Sequence, residues 1–136
     1  MATGKSPKPP PNKRRSDAGR TAEAGGRAAE RLVAAHLVQS GWNIAGARTR
    51  TPMGEIDLIA TRDGLLLLAE VKSRADHEQA SYALLPRQQK RLINAATWLL
   101  AEHPDWGAAG VRFDVFLVDR LGRIAQVEDA IRDDAT

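Results

Sequence analysis

Asp57, Glu70 and Lys72 stand in the stretch "GEIDLIATRDGLLLLAEVKSR", Gly54 to Arg74, inside two apolar runs that otherwise read as sheet core. An Asp-Gly pair between two β-rich runs is a strong signal for a two-residue hairpin loop, here Asp63-Gly64. Such a loop pairs Arg62 with Leu65, and counting back along both strands sets Asp57 opposite Glu70 and Glu55 opposite Lys72. Opposed residues share a face, as do residues two apart, so all four project from one side while Ile56, Leu58 and Val71 point into a core.

Facing Cβ atoms on paired strands lie about 4.5–5.5 Å apart. Two carboxylates at that distance repel by roughly 3–4 kcal/mol at an effective dielectric near 20, so one must be protonated or a cation must lie between them. Lys72 is a single ammonium facing up to three acids, and a divalent ion is the better match. Hard oxygen donors from Asp57 and Glu70, with waters, suit Mg²⁺ or Mn²⁺. The chemistry to expect is metal-assisted phosphodiester hydrolysis, with the lysine stabilising developing charge or orienting a water. The bland alternative is an exposed hairpin face with a cross-strand ion pair from Lys72 to Glu55 or Glu70, a contact that contributes only about 0–1 kcal/mol.

Several elements must position this hairpin. From about Glu23 to Ser40, Ala29, Leu32, Val33, His36 and Leu37 recur at helical spacing before Gly41, giving an amphipathic first helix with His36 at the edge of the core. His77 and His103 show no metal-ligand spacing with His36. Residues 43–50 form a weak strand that Pro52 interrupts. Pro86 suits the first turn of a second helix with a stripe of Leu92, Ile93, Ala96, Leu99 and Leu100, ended by Pro104. "VRFDVFLV" and "GRIAQVE", parted by "DRLG", read as a second hairpin, in which Asp114 faces Arg112 or a helix as a structural acid. The order α-β-β-β-α-β-β predicts a two- or three-layer α/β domain on a mixed sheet. Trp42, Trp98 and Trp106 read as packing residues, since none lies in a basic-aromatic run.

The chain has 136 residues, one domain's worth, no cysteine and a net charge of +3. That charge is unevenly spread. Residues 1–20 carry six Lys/Arg against one Asp, and the rest carry fourteen against sixteen acids. Residues 1–20 therefore read as a disordered, basic, Pro-rich tail, either solubilising or a tether to nucleic acid, and residues 21–136 as the α/β domain. Neither a signal-peptide core nor a run approaching a membrane span is visible, and a cytoplasmic location is the expectation. Because the domain itself is slightly acidic, its basic side chains must gather near the site to hold a polyanion. Arg48, Arg50, Arg74, Arg87 and Arg91 are the candidates for nucleic-acid contacts.

The Asp on one strand with Glu-x-Lys on the next resembles the PD-(D/E)xK nuclease superfamily. More closely, "GEIDLIA", the hairpin, "EVKSR", "KRLINAA" and "RFDVF" resemble the YraN family of endonuclease-like proteins over roughly residues 23–130. The resemblance implies a restriction-endonuclease-like mixed sheet flanked by helices, with Asp57 and Glu70 as metal ligands helped by the Val71 carbonyl, and Lys72 as the catalytic lysine. It further suggests Glu30 on the first helix as an outer carboxylate and Gln89 or Lys90 as a helical polar residue near the site. Ala69 before "EVK" and the stretch "ADHEQASYALL" after "KSR" depart from the family pattern, which bears on substrate contacts rather than fold.

These readings converge on a Mg²⁺-dependent nuclease-like protein that hydrolyses phosphodiester bonds in DNA, including branched or structured DNA, with a homodimer as one assembly. The rival expectations are a non-catalytic nucleic-acid-binding module that keeps the fold, and a protein-interaction domain presenting an acidic hairpin face. No recognition helix with a clustered basic face is visible, so sequence readout is not expected.

Overall fold

The computed structural model describes residues 13–73 and 84–131, with the side chains from Gly26 onward. Strands β2 (Gly54–Arg62) and β3 (Leu65–Ser73) are antiparallel and joined by Asp63-Gly64. Both turn residues have positive φ, 51° and 79°, which matches the right-handed twist of the flanking strands. The register is the one expected, Arg62 against Leu65 through Leu58 against Ala69. Strand β1 (Asn43–Thr51) lies antiparallel on β2. Between them, the Thr51 hydroxyl donates to the Gly54 carbonyl at 2.7 Å and accepts the Met53 N–H at 3.1 Å, closing the turn that Pro52 opens.

Strand β4 (Gly110–Val118) runs parallel to β3, an arrangement that requires a crossover. Helix α2 (Pro86–Glu102) lies in that connection, followed by a 3-10 turn at Pro104–Gly107. Strand β5 (Ile124–Val127) returns antiparallel on β4. The sheet is thus five-stranded and mixed, in the order β1-β2-β3-β4-β5, and the chain follows the expected α-β-β-β-α-β-β sequence.

Successive residues of β3 enter opposite layers. Leu67 and Ala69 join Ala29, Val33 and Leu37 of helix α1 (Lys13–Gln39), whereas Leu66 and Leu68 join Leu92, Ala95, Ala96 and Leu99 of α2. Both faces of the central strand are covered, which is why "LLLLA" is a continuous apolar run rather than an alternating one. The fold is therefore three-layered, and each fully buried leucine contributes about 1.5–3 kcal/mol. The helical stripes are narrower than the periodicity implies. Leu32 and Ile93 are each 44% exposed, because the two clusters are filled by residues on the sheet side of each helix. Helix α1 begins at Lys13 rather than near Glu23, so it enters the stretch expected as tail. Residues 1–12 of that tail lie outside the described residues.

Several polar residues read from sequence hold this scaffold. Asp114 is buried and accepts from Arg112 Nε and Nη2 at 3.0 and 2.9 Å, from Gln126 Nε2 and from the Asp129 N–H, the structural role expected of it. Trp42 is buried, with the guanidinium of Arg62 over its ring at 4.3 Å and that of Arg112 at 5.4 Å. His36 meets Phe116 edge-on, at the rim of the α1 layer. Trp98 and Trp106 pack partly buried against the α2 layer, and His103 stacks on Trp106. Among the described residues no helix is long and apolar enough to cross a membrane.

Candidate metal and phosphate site

The β2–β3 ladder stops at Leu58 and Ala69, one step before Asp57 and Glu70 would pair. Past that point Gly54, Glu55 and Ile56 remain paired with β1, while β3 stays on β4 as far as Ser73. The two central strands therefore part company at the acids. Asp57 Oδ2 fills the gap by accepting the Val71 N–H at 2.9 Å, so a side chain takes the amide that a continued ladder would have used. Asp57 and Glu70 consequently flank the same peptide unit, with Lys72 the next residue along β3.

The expected single polar face is corrected in one respect. Leu58 packs in the α1 layer and Ile56 in the α2 layer, although strict alternation puts residues two apart on one side. The slip coincides with Arg48 of β1, whose φ of 49° is left-handed. Ala47 pairs with Leu58 and Thr49 with Ile56, bracketing Arg48 and Asp57 as the unpaired step. A non-glycine residue held there costs about 1–3 kcal/mol and persists where its surroundings over-determine it. The expected Glu55–Lys72 pairing does not form, because Glu55 pairs with Arg50 and is exposed.

Glu70 is 8% exposed and faces α2, where Arg91 Nη2 donates to its Oε1 at 3.0 Å. Its other oxygen, Oε2, is buried without a hydrogen-bond partner, as is Arg91 Nε. Burial, then the charge of Asp57, pushes the Glu70 carboxyl up to about 7, even though Arg91 and Lys72 pull it down. Burial also raises the Asp57 carboxyl, with the Val71 N–H opposing and the charge of Glu30 adding to the rise. Burial is the first cause of both shifts, and neighbouring carboxylates add to it against the pull of Arg91. Lys72 is half-buried and makes no ion pair of 4.0 Å or less among the described residues.

Glu30 approaches from α1 but is neutralised by Arg48 Nε at 2.7 Å. That hydrogen bond is the main reason the Arg48 guanidinium is held more firmly protonated, and Glu55 and Asp57 add to it. Glu30 and Arg48 line a depression of about 220 Å³ together with Arg27, Arg31 and Leu58. Sequence reasoning passed over Arg27 and Arg31, although their four-residue spacing around Glu30 puts all three on one side of the helix. Gln89 donates to the Leu84 carbonyl at 2.9 Å, bracing the start of α2. Lys90, Arg87 and Arg50 are exposed, and Arg74 lies outside the described residues. The residue that α2 contributes to the acids is Arg91.

The donor set is oxygen only, which suits a hard divalent ion. The unpartnered Glu70 Oε2 fits the same demand. Among the described residues no group of three or more His, Cys, Asp or Glu side chains is gathered for a metal, so two carboxylates are what those residues offer.

Among solved structures, a chain titled Pyrococcus furiosus SfsA in complex with Ca²⁺ aligns with 17% identity and a TM-score of 0.35, over 79% of this chain and 63% of that one. Much closer in sequence is a UPF0102 protein of Granulibacter bethesdensis, 50% identical over 114 residues, which are 84% of this chain and 72% of the relative. A UPF0102 protein of Rhodopseudomonas palustris is 44% identical over 112 residues, covering 82% of this chain and 83% of the relative. The family model described as uncharacterised protein family UPF0102 matches residues 29–118, a span running from the first buried turn of α1 to the end of β4 and holding Asp57, Glu70, Lys72 and Arg91, and the chain belongs to that family.

Proposed function

We propose that the protein is a divalent-metal-dependent phosphodiester hydrolase acting on nucleic acid, with DNA as the preferred class of substrate. The observation that carries the reading is the half-compensated acid pair: Glu70 buried with Arg91 on one oxygen and Oε2 unpartnered, beside a raised Asp57 carboxyl, at the step where the central strands part. A fold tolerates such repulsion where a cation relieves it.

Asp57 and Glu70 would hold the ion, with the Val71 carbonyl as a third oxygen. Asp57 is fixed for this by the Val71 N–H, which leaves Oδ1 free of that bond. When bound, a divalent ion polarises a phosphate oxygen and lowers the pKa of an attacking water. Lys72, free of ion pairs among the described residues, supplies an ammonium that stabilises charge on the phosphate or orients the water. Arg27, Arg31 and Arg48, around the depression beside Leu58, offer positive charge for the sugar–phosphate backbone.

The test is a Mg²⁺ or Mn²⁺ titration on linear, single-stranded and four-way-junction DNA, comparing the intact protein with Asp57→Asn and Lys72→Ala. Metal-dependent cleavage lost in both variants is the expected result. Binding without cleavage, unchanged by either substitution, would replace the hydrolase with a phosphate-docking module. The two-carboxylate donor set favours that second reading in one respect, since few ligands make a weak metal site.

A further inference from the structure

Two Arg–carboxylate pairs in this protein are built differently. Arg112 grips Asp114 with Nε and Nη2 on separate oxygens, at 3.0 and 2.9 Å, the side-on fork that satisfies both partners. Arg91 touches Glu70 through Nη2 alone, at 3.0 Å, and leaves one donor and one acceptor of the same pair buried and unsatisfied. A buried donor or acceptor left without a partner keeps the full cost of its lost hydration. The fold nevertheless holds Arg91 in this half-closed pose. Its stem crosses Gly54 so closely that a Cβ there would lie 3.0 Å from Arg91 Cδ, and Gly54 has a left-handed φ of 125°.

From this contrast, and resting on the metal reading of the Asp57–Glu70 site, we infer that Arg91 is an exchangeable counter-ion. Its guanidinium neutralises Glu70 when no divalent cation is present, yields the carboxylate when one arrives, and then turns to a phosphate oxygen of the substrate. A closed fork would compete too strongly with the ion. The single bond leaves Glu70 Oε2 without a partner, and the Arg91 side chain, 33% exposed, has solvent into which to swing. Arg91 is thus a positioning residue for Glu70 in the metal-free protein and a phosphate contact in the loaded one.

The exchange predicts opposite signs in two binding measurements on one variant. Mn²⁺ binding to the full chain, followed by calorimetry, should tighten about tenfold in Arg91→Met, because the competing unit charge is gone. Binding of single-stranded DNA in Ca²⁺, followed by fluorescence anisotropy, should weaken severalfold in the same variant. Arg91→Lys, which keeps the charge but not the guanidinium, should bind Mn²⁺ with an affinity between the two, and it carries the test if Arg91→Met fails to fold. Equal Mn²⁺ affinity in the wild type and the variants, or Mn²⁺ and DNA affinities that fall together, overturns the exchange while leaving the metal site standing. No Mn²⁺ binding by any of these proteins overturns the metal reading and the exchange with it.

Discussion

At the scale of single residues, the chemistry turns on the burial of Glu70 beside the charge of Asp57. An acid whose folded value is about 7, against an ordinary 4.5, binds its proton more tightly in the native state than in the unfolded chain. Stability contributed by that protonated group is complete below about pH 4.5 and is lost as pH rises to about 7. The melting temperature should therefore fall from pH 5 to pH 8, by the equivalent of up to about 3 kcal/mol, with Asp57 acting in the same sense. Glu70→Gln should flatten that slope, and millimolar Mg²⁺ should restore stability at pH 8 in the wild type but not in Glu70→Gln. A wild-type melting temperature that rises across this range would contradict the burial argument. Asp114 is held differently, by hydrogen bonds to both carboxylate oxygens. Asp114→Ala strips Arg112, Gln126 and the Asp129 amide of their acceptor, and should cost about 3–5 kcal/mol in chemical denaturation with no effect on metal binding.

At the scale of elements, the site depends on a hairpin that is regular at one end and broken at the other. Gly54 sits at the broken end, where a Cβ would be strained by the local φ and pressed on Arg91. Gly54→Ala should cost about 1–3 kcal/mol in denaturant unfolding, and it should shift the metal affinity as well, because it displaces Arg91. The neighbouring Met53→Ala, in the same turn and 36% exposed, should do neither to that extent. The regular end was fully legible: Asp63-Gly64 dictates a two-residue turn, and that turn dictates register as far as Leu58 and Ala69. The broken end was not, because it arises between elements. Nothing local in "RTRTPMGEID" announces that Arg48 turns left-handed toward Glu30 on α1, or that the alternation slips at Asp57. Likewise Arg91 reads as one surface arginine among several until α2 is laid across β3. The helical stripes show the same division: Ala29, Val33 and Leu37 follow from period, whereas the exposure of Leu32 and Ile93 follows from which arc of each helix the sheet touches.

At the scale of the whole molecule, charge and fold are separated along the chain. The motifs in "GEIDLIA" and "EVKSR" were enough to point to the family, because they occupy the conjunction of hairpin and core that the three-layer fold is built around. Binding strength is a different matter. Residues 21–136 carry fourteen Lys/Arg against sixteen acids, so their net field opposes a polyanion, and only local clusters such as Arg27, Arg31 and Arg48 favour it. Residues 1–20 carry six Lys/Arg against one acid, and each phosphate they neutralise releases counterions. Removing residues 1–12 deletes Lys5 and Lys8 while leaving helix α1 whole. The logarithm of DNA affinity against the logarithm of salt concentration should then lose up to about 1.8 from the magnitude of its slope, the share of two contacts on a duplex. The Mn²⁺ affinity of the acid pair should not move, since the deleted residues precede every element that holds Asp57, Glu70 and Arg91. An unchanged salt slope in the shortened protein would mean that Lys5 and Lys8 make no backbone contact, and that the basic residues from Lys13 onward carry whatever holds nucleic acid.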